Sequence, residues 1–425
     1  MTRNVVAART RLWVLLTTCA VVGASSATEL ANSIVEDVRA NPSQAQQTNS
    51  STLWRAQPSG PVGASGIEER RFELVLTGDA GVNRIAMHRF GKPGAHDARV
   101  MLYLPGTNMN GEAALTDEQH NLWLYLAARG VTVYALDYRS HFVSPDATDF
   151  KPMAAWTTDV YVHDALRALM LAHEQQPQAK LYVAGFSRGA TLAYGLSCTA
   201  PPGLIAGLVA LDGGFKNASD PPSVAIAPFV HPTFYRARLQ QGDQANHDES
   251  YTAAHSRFMA SGAFADDVGA GIGWQNRQAL MRSAIAGNGK AQESLARVLV
   301  NAWGDGRLAN PGSVSDLRVL AQLMLGYDRF YPRVQNLEGG AIAQTANAPE
   351  TAVDDCWGQM RMPILFVESA KFGAVSGAVS YSARRSGSRD VTGIKLPGFG
   401  HLDVLVAEHA VDLVYAPTLQ WLRTH

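Results

Sequence analysis

The stretch Leu181-Tyr182-Val183-Ala184-Gly185-Phe186-Ser187-Arg188-Gly189-Ala190-Thr191 carries the most chemistry in this chain. An apolar run leads into Gly-x-Ser-x-Gly, and a helix-like segment, Ala190 to Ser197, follows. Between a strand and a helix that pattern marks a nucleophile elbow. A serine on so tight a turn has a strained backbone. The residues two before and two after it crowd the turn, so both must be small, and Gly185 and Gly189 meet that need. The Ser187 hydroxyl would then stand above a sheet at a helix N-terminus. There the helix dipole and free N–H groups favour a developing negative charge. The chain holds 38 glycines, so the pattern alone can arise by chance; the strand before it and the helix after it give it weight.

An elbow needs a sheet to stand on, and the sequence supplies the pieces. Phe72 to Leu76 and Arg84 to His88 read as two antiparallel strands around the turn Gly78-Asp79-Ala80-Gly81. Arg99 to Leu104 is a mostly apolar run, as expected of a strand covered on both faces, and ends at Pro105-Gly106-Thr107-Asn108. Thr116 to Arg129 reads as a helix closed by Gly130. Val131 to Leu136 is the next strand, running into Asp137-Tyr138-Arg139, and Ala154 to Gln175 the next helix. Lys180 to Ala184 leads to the elbow, and Ile205 to Leu211 is a strand ending at Asp212. Strands alternating with helices predict an α/β fold, with a mostly parallel central sheet and right-handed crossovers.

Composition agrees. The chain has 425 residues, 46% of them hydrophobic and 17% charged, which describes a soluble globular protein with ample core. The net charge of -1 implies no basic field for nucleic acid, and no repeat or acidic tail is present. Residues 1–27 read as a signal peptide. Arg3, Arg9 and Arg11 form its positive start, Leu12 to Ala24 its apolar run, and Ala24-Ser25-Ser26-Ala27 its small-residue cleavage region. The apolar run is short for a membrane span, so no stable span is expected after its removal, and the mature protein would be periplasmic or secreted. Removing Cys19 with the leader leaves Cys198 and Cys356. An even pair in an oxidising compartment suggests one disulfide, with two buried free thiols as the alternative. Residues 28–68, rich in Ser, Gln, Asn, Ala and Pro, look like a flexible N-terminal segment.

The order of motifs resembles the α/β-hydrolase superfamily: an antiparallel start, Pro105-Gly106-Thr107, Asp137-Tyr138-Arg139, the serine elbow and a late Gly400-His401. The resemblance covers a core in two parts, 69–214 and 359–425. Residues 215–358 break the alternation and contain helix-like pieces at Ser250 to Met259, Trp274 to Ala286, Ala291 to Trp303 and Val314 to Leu325. In the superfamily a helical cap is often inserted there, over the serine. The resemblance implies His401, in the loop after the last strand, as the general base. The runner-up is His141, which can equally be a pocket wall. The usual place for the acid offers Lys371 and Phe372, neither of which can hydrogen-bond an imidazole as a carboxylate does. Glu368, at the end of the strand Pro363 to Glu368, and Asp212, at the end of the preceding core strand, are equal candidates.

One oxyanion donor would be the backbone N–H of Arg188; the other would come from Thr107 or Asn108, where Gly106 lets the backbone approach. The reaction implied is acyl transfer to Ser187 followed by hydrolysis, as in a carboxylesterase acting on a small-molecule substrate. Lactonase, amidase and carbon–carbon hydrolase chemistry share the constellation. A dehalogenase or epoxide hydrolase would need a carboxylate in place of Ser187, and a binding protein would have no need of an intact Ser187 and His401. His and Cys do not occur at zinc spacing and no Gly-x-Gly-x-x-Gly follows a strand, so neither metal nor cofactor is expected. Nothing in the sequence sets the oligomeric state.

Overall fold

The computed structural model describes residues 54–76, 83–218, 232–246, 314–316, 319–320, 322–323, 326–343 and 351–425. The expected signal peptide, residues 28–53, the turn Gly78 to Gly81 and the first three helices expected between 250 and 303 lie outside these residues.

The central sheet is built from β1 (Arg55–Ala56), β2 (Gly60–Val62), β3 (Ile67–Val75), β4 (Arg84–Gly91), β5 (Arg99–Leu104), β6 (Thr132–Asp137), β7 (Lys180–Phe186) and β8 (Ile205–Leu211). After a separate ribbon of β9 (Ala245–Asn246) and β10 (Tyr331–Pro332), it is completed by β11 (Ile364–Ser369) and β12 (Val391–Leu396). The order is β1-β3-β4-β6-β5-β7-β8-β11-β12, with β2 also on β3. Pairs from β1 to β6 by way of β4 are antiparallel, and every pair from β6 through β12 is parallel. This is the α/β-hydrolase fold. Its helices among the described residues include α1 (Leu122–Ala128), α2 (Thr158–Gln175), α3 (Arg188–Thr199), α4 (Pro232–Gln240), α5 (Arg333–Ile342), α6 (Gly373–Ser376), α7 (Val379–Arg385), α8 (Asp403–Val406) and α9 (Ala416–Thr424).

Side-chain alternation along the strands splits the core into two layers. Met101 and Tyr103 of β5 face one layer with α1 and α9, while Val100, Leu102 and Leu104 face the other with α2 and α3. Both faces are therefore covered, which is why the parallel strands read as continuous apolar runs. No helix of the described residues is long and apolar enough to cross a membrane.

Several boundaries differ from expectation for local reasons. The helix expected from Thr116 begins only at Leu122, because the Asn121 side chain caps the N–H groups of Trp123 and Leu124. The helix expected from Ala154 begins at Thr158, capped by Thr157, after a separate 3-10 turn over Lys151–Ala155. The expected flexible segment 28–68 is not flexible coil from Arg55 onward. Two short strands, β1 and β2, and the start of β3 use it, and Trp54, Val62 and Ile67 are buried. Pairing with β3 gives this polar stretch backbone partners that composition does not reveal.

Cys198, near the end of α3, is bonded to Cys356, with their Cα atoms 5.3 Å apart and a sequence separation of 158. A cross-link over so long a loop restricts the unfolded chain. Reduction is expected to destabilise the protein by about 3–5 kcal/mol, read as a lower denaturation midpoint. Alkylation without reductant should leave both thiols unmodified by mass.

Candidate active site

β5 and β7 are neighbours in the sheet although β6 lies between them in sequence, and their register pairs Leu104 with Gly185. The chain leaves β5 toward one edge and returns beyond it. At such a switch point the loops after adjacent strands diverge and leave a crevice. Here the loops are Pro105–Asn108 and the Ser187 elbow.

Ser187 has φ 55 and ψ -119, a region that residues with a Cβ rarely occupy. Its N–H donates to Leu211 O at 3.0 Å. A Cβ at Gly185 would overlap the carbonyl of Gly189, and one at Gly189 would overlap the carbonyl of Leu104. The two glycines are small because backbone passes through the space that a side chain would need. Gly213 is constrained in the same way by the Ser187 carbonyl, so the end of β8 is pressed against the elbow.

His401 is 5% exposed. Its Nδ1 donates to Asp212 Oδ2 at 2.8 Å. Asp212 is fully buried, has φ 47, and also accepts from the Ser369 N–H and hydroxyl, both at 2.7 Å. The His401 ring lies between Phe186, at 4.6 Å between centroids, and Phe372, at 3.9 Å. Phe186 immediately precedes Ser187, so the serine, the imidazole and the aspartate converge at the ends of β7, β8 and β12.

Glu368 is not the partner of His401. Its carboxylate accepts from Ser380 N–H at 3.1 Å and faces Lys395 at 3.4 Å. Alternation along β11 is the cause: Ser369 faces Asp212, and Glu368 points to the other side toward α7. Phe372, set aside as unable to hydrogen-bond the ring, packs on it instead. Ser369 and Phe372 are the site residues that the sequence did not single out.

Asn108 has φ 59 and closes a turn in which Met109 N–H donates to Gly106 O at 3.1 Å. A Cβ on Gly106 would sit 3.2 Å from the Ser187 Cβ, so this turn flanks the serine closely. Nothing among the described residues accepts from the Thr107 or Asn108 N–H. Arg188 is the first residue of α3, so its N–H has no partner within the helix. Asp328, from the inserted segment, grips the turn. Its N–H donates to Asn108 O at 2.7 Å, and the Asn108 amide donates back to Asp328 O at 2.9 Å.

Nδ1 of His141 pairs with Asp328 Oδ1 at 2.8 Å, one residue back from the Asn108 turn. Burial would lower its pKa, but Asp328, Asp137 and Glu112 raise it to about 9. Behind it, burial favours the neutral form of His88, yet Asp137 and Glu69 hold its pKa up to about 10. Burial alone would push the Asp137 carboxyl up; His88 and His141 keep it below its usual value. These groups form a charged support under the loop that carries Asn108 and Asn110.

The Arg188 guanidinium donates to Gln335 O at 2.6 Å and fills the space beside Gly339 on α5. Glu338 of the same helix accepts from Thr158 N–H at 2.6 Å, and burial pushes its carboxyl up to about 7. One helix of the segment 215–358 is thus fastened beside the elbow.

A family model described as Serine aminopeptidase, S33 matches residues 109–279, a span that includes Ser187 and Asp212 but not His401. Among solved structures, a protein from Sulfolobus solfataricus provisionally named a lipase matches with a TM-score of 0.64 at 20% identity, over 87% of this chain and 99% of its own. A monoglyceride lipase from Saccharomyces cerevisiae matches at 0.47 and 12% identity, over 90% and 98% of the two chains. A thermophilic esterase from Thermogutta terrifontis matches at 0.47 and 13%, over 83% and 98%. No curated protein matches the chain.

Proposed function

We propose that this chain, which has the α/β-hydrolase fold and matches a serine aminopeptidase family model over residues 109–279, is a serine hydrolase that cleaves a carboxylic ester through an acyl-enzyme on Ser187. The observation that carries the reading is the 2.8 Å bond from His401 to buried Asp212, formed beside a serine with φ 55. With Nδ1 committed to Asp212, the free nitrogen Nε2 is the proton acceptor for Ser187.

In the first half-reaction His401 takes the hydroxyl proton as Ser187 attacks the acyl carbonyl. The Arg188 N–H and one of the Thr107 and Asn108 N–H groups receive the oxyanion. Such a donor contributes about 3–4 kcal/mol to the transition state. His401 then passes the proton to the leaving alcohol, and the acyl-enzyme forms. In the second half, water attacks the acyl carbon as His401 takes its proton, the bond to Ser187 Oγ breaks, and His401 returns the proton to Ser187 as the acid leaves. Action in a periplasm or outside the cell is supported by the leader-like residues 1–27 and by the Cys198–Cys356 bridge.

A fluorophosphonate probe tests the reading. It should label the protein stoichiometrically, and peptide mapping should place the adduct on Ser187; absence of labelling, or an adduct elsewhere, refutes it. The matched family is described as a serine aminopeptidase, which favours amide cleavage as the second reading. Rates on p-nitrophenyl esters of rising acyl length, set against aminoacyl p-nitroanilides, separate the two.

A further inference from the structure

A second cavity lies toward the other end of the sheet. It measures about 210 Å³ and is lined by Arg70, Arg89, Tyr134 and Gln176, with Glu68 and His96 also on its wall. At a share of roughly 30 Å³ per water it has room for a small organic anion. Gln176 caps α2 just before β7, so the cavity opens near the N-terminal ends of the parallel strands. Ser187 stands at their C-terminal ends.

The lining is a single row across three strands: Arg70 pairs with Arg89, and Arg89 with Tyr134. Like charges directly opposite on one sheet face repel. Neither arginine has a carboxylate partner among the described residues. Arg70 lies 5.4 Å over the Phe72 ring, and Arg89 donates to Ala95 O at 3.1 Å. Glu68 shares the wall without forming an ion pair to either. On the floor Gln176 is 5% exposed and Tyr134 is fully buried, with the phenol beside the Gln176 amide and the Arg89 guanidinium. Burial raises the Tyr134 pKa against the pull of Arg89, Gln176 and Arg70, which places the phenol within their reach.

We propose that this cavity is a second, non-catalytic site for a small oxyanion, a carboxylate or a phosphate, bound between Arg70 and Arg89 over the Tyr134 hydroxyl and the Gln176 amide. Guanidinium forks match the two-oxygen edge of either group, and the two arginines face each other across adjacent strands with no carboxylate partner among the described residues. Its distance from the elbow makes the ligand a regulator or stabiliser rather than the hydrolysed substrate.

Calorimetric titration of the full chain with sodium phosphate, and separately with sodium succinate, tests the site against sodium chloride at matched ionic strength. Saturable binding of at least one anion is expected, and the tighter of the two identifies the chemistry. Arg70→Gln, at an exposed side chain, and the double variant with Arg89→Gln should each weaken binding, the double by about tenfold or more. Protein labelled at the serine by fluorophosphonate should bind the anion unchanged. The proposal is overturned if neither anion binds beyond the chloride control, if the Arg70→Gln variant and the double variant both bind as the parent does, or if serine labelling blocks binding.

Discussion

Ser187→Ala is expected to lower kcat by about 10³-fold or more while the protein stays folded. The fold should survive because the strained geometry belongs to the backbone and its neighbours. Ser187 N–H is tied to Leu211 O, and the crowding falls on Gly185, Gly189 and Gly213, none of which changes. Alanine keeps the Cβ that already tolerates φ 55. What is lost is the one oxygen placed next to the free amides of Arg188, Thr107 and Asn108. Ester turnover and the thermal midpoint, measured on the same preparation, check this. A variant that keeps most of its activity would rule out the acyl-enzyme.

Asp212→Asn should come within a factor of roughly 100 of Ser187→Ala in kcat, with little change in KM. Every group around the Asp212 carboxylate is a donor: His401 Nδ1, the Ser369 N–H and the Ser369 hydroxyl. An amide there must turn its NH₂ toward at least one of them. The imidazole then loses its oriented tautomer, and the imidazolium loses its counter-charge. Glu368→Gln should cost little. Glutamine can still accept from Ser380 N–H, and the Lys395 side chain that Glu368 pairs with is 65% exposed, where an ion pair contributes about 0–1 kcal/mol. Both kcat values, with circular dichroism as the folding control, settle the assignment. Mild losses from both would remove Asp212 from the mechanism, and severe losses from both would make a single acid wrong.

The elbow was legible because its rule is local: two small residues flank a serine between a strand and a helix, and the overlap of a Cβ with backbone at Gly185 and Gly189 is the same rule in space. Strands β5 and β8 were read to the residue, since burial on both faces leaves an unbroken apolar run. The acid was not legible. Asp212 and Glu368 end adjacent parallel strands, and only the side of the sheet on which each carboxylate emerges separates them. Nor could spacing foretell that Ser369 would hold Asp212, that Phe372 would pack on His401, or that Asp328 would grip Asn108 across 220 residues. Such contacts depend on register and on how the insertion returns to the core. The N-terminal strands were hidden for a different reason: edge pairing through backbone groups leaves no apolar signature in a polar stretch.

The Cys198–Cys356 bridge also fixes what a protease could do to this molecule. A single cut between residues 219 and 350 would leave Ser187 and Asp212 on one fragment and His401 on the other. The bridge spans every such cut, so the two fragments would remain one covalent particle, with the partners of the His401–Asp212 hydrogen bond held together across the cut. The cut form would therefore run as a single band until its disulfide was reduced, and as two bands afterwards.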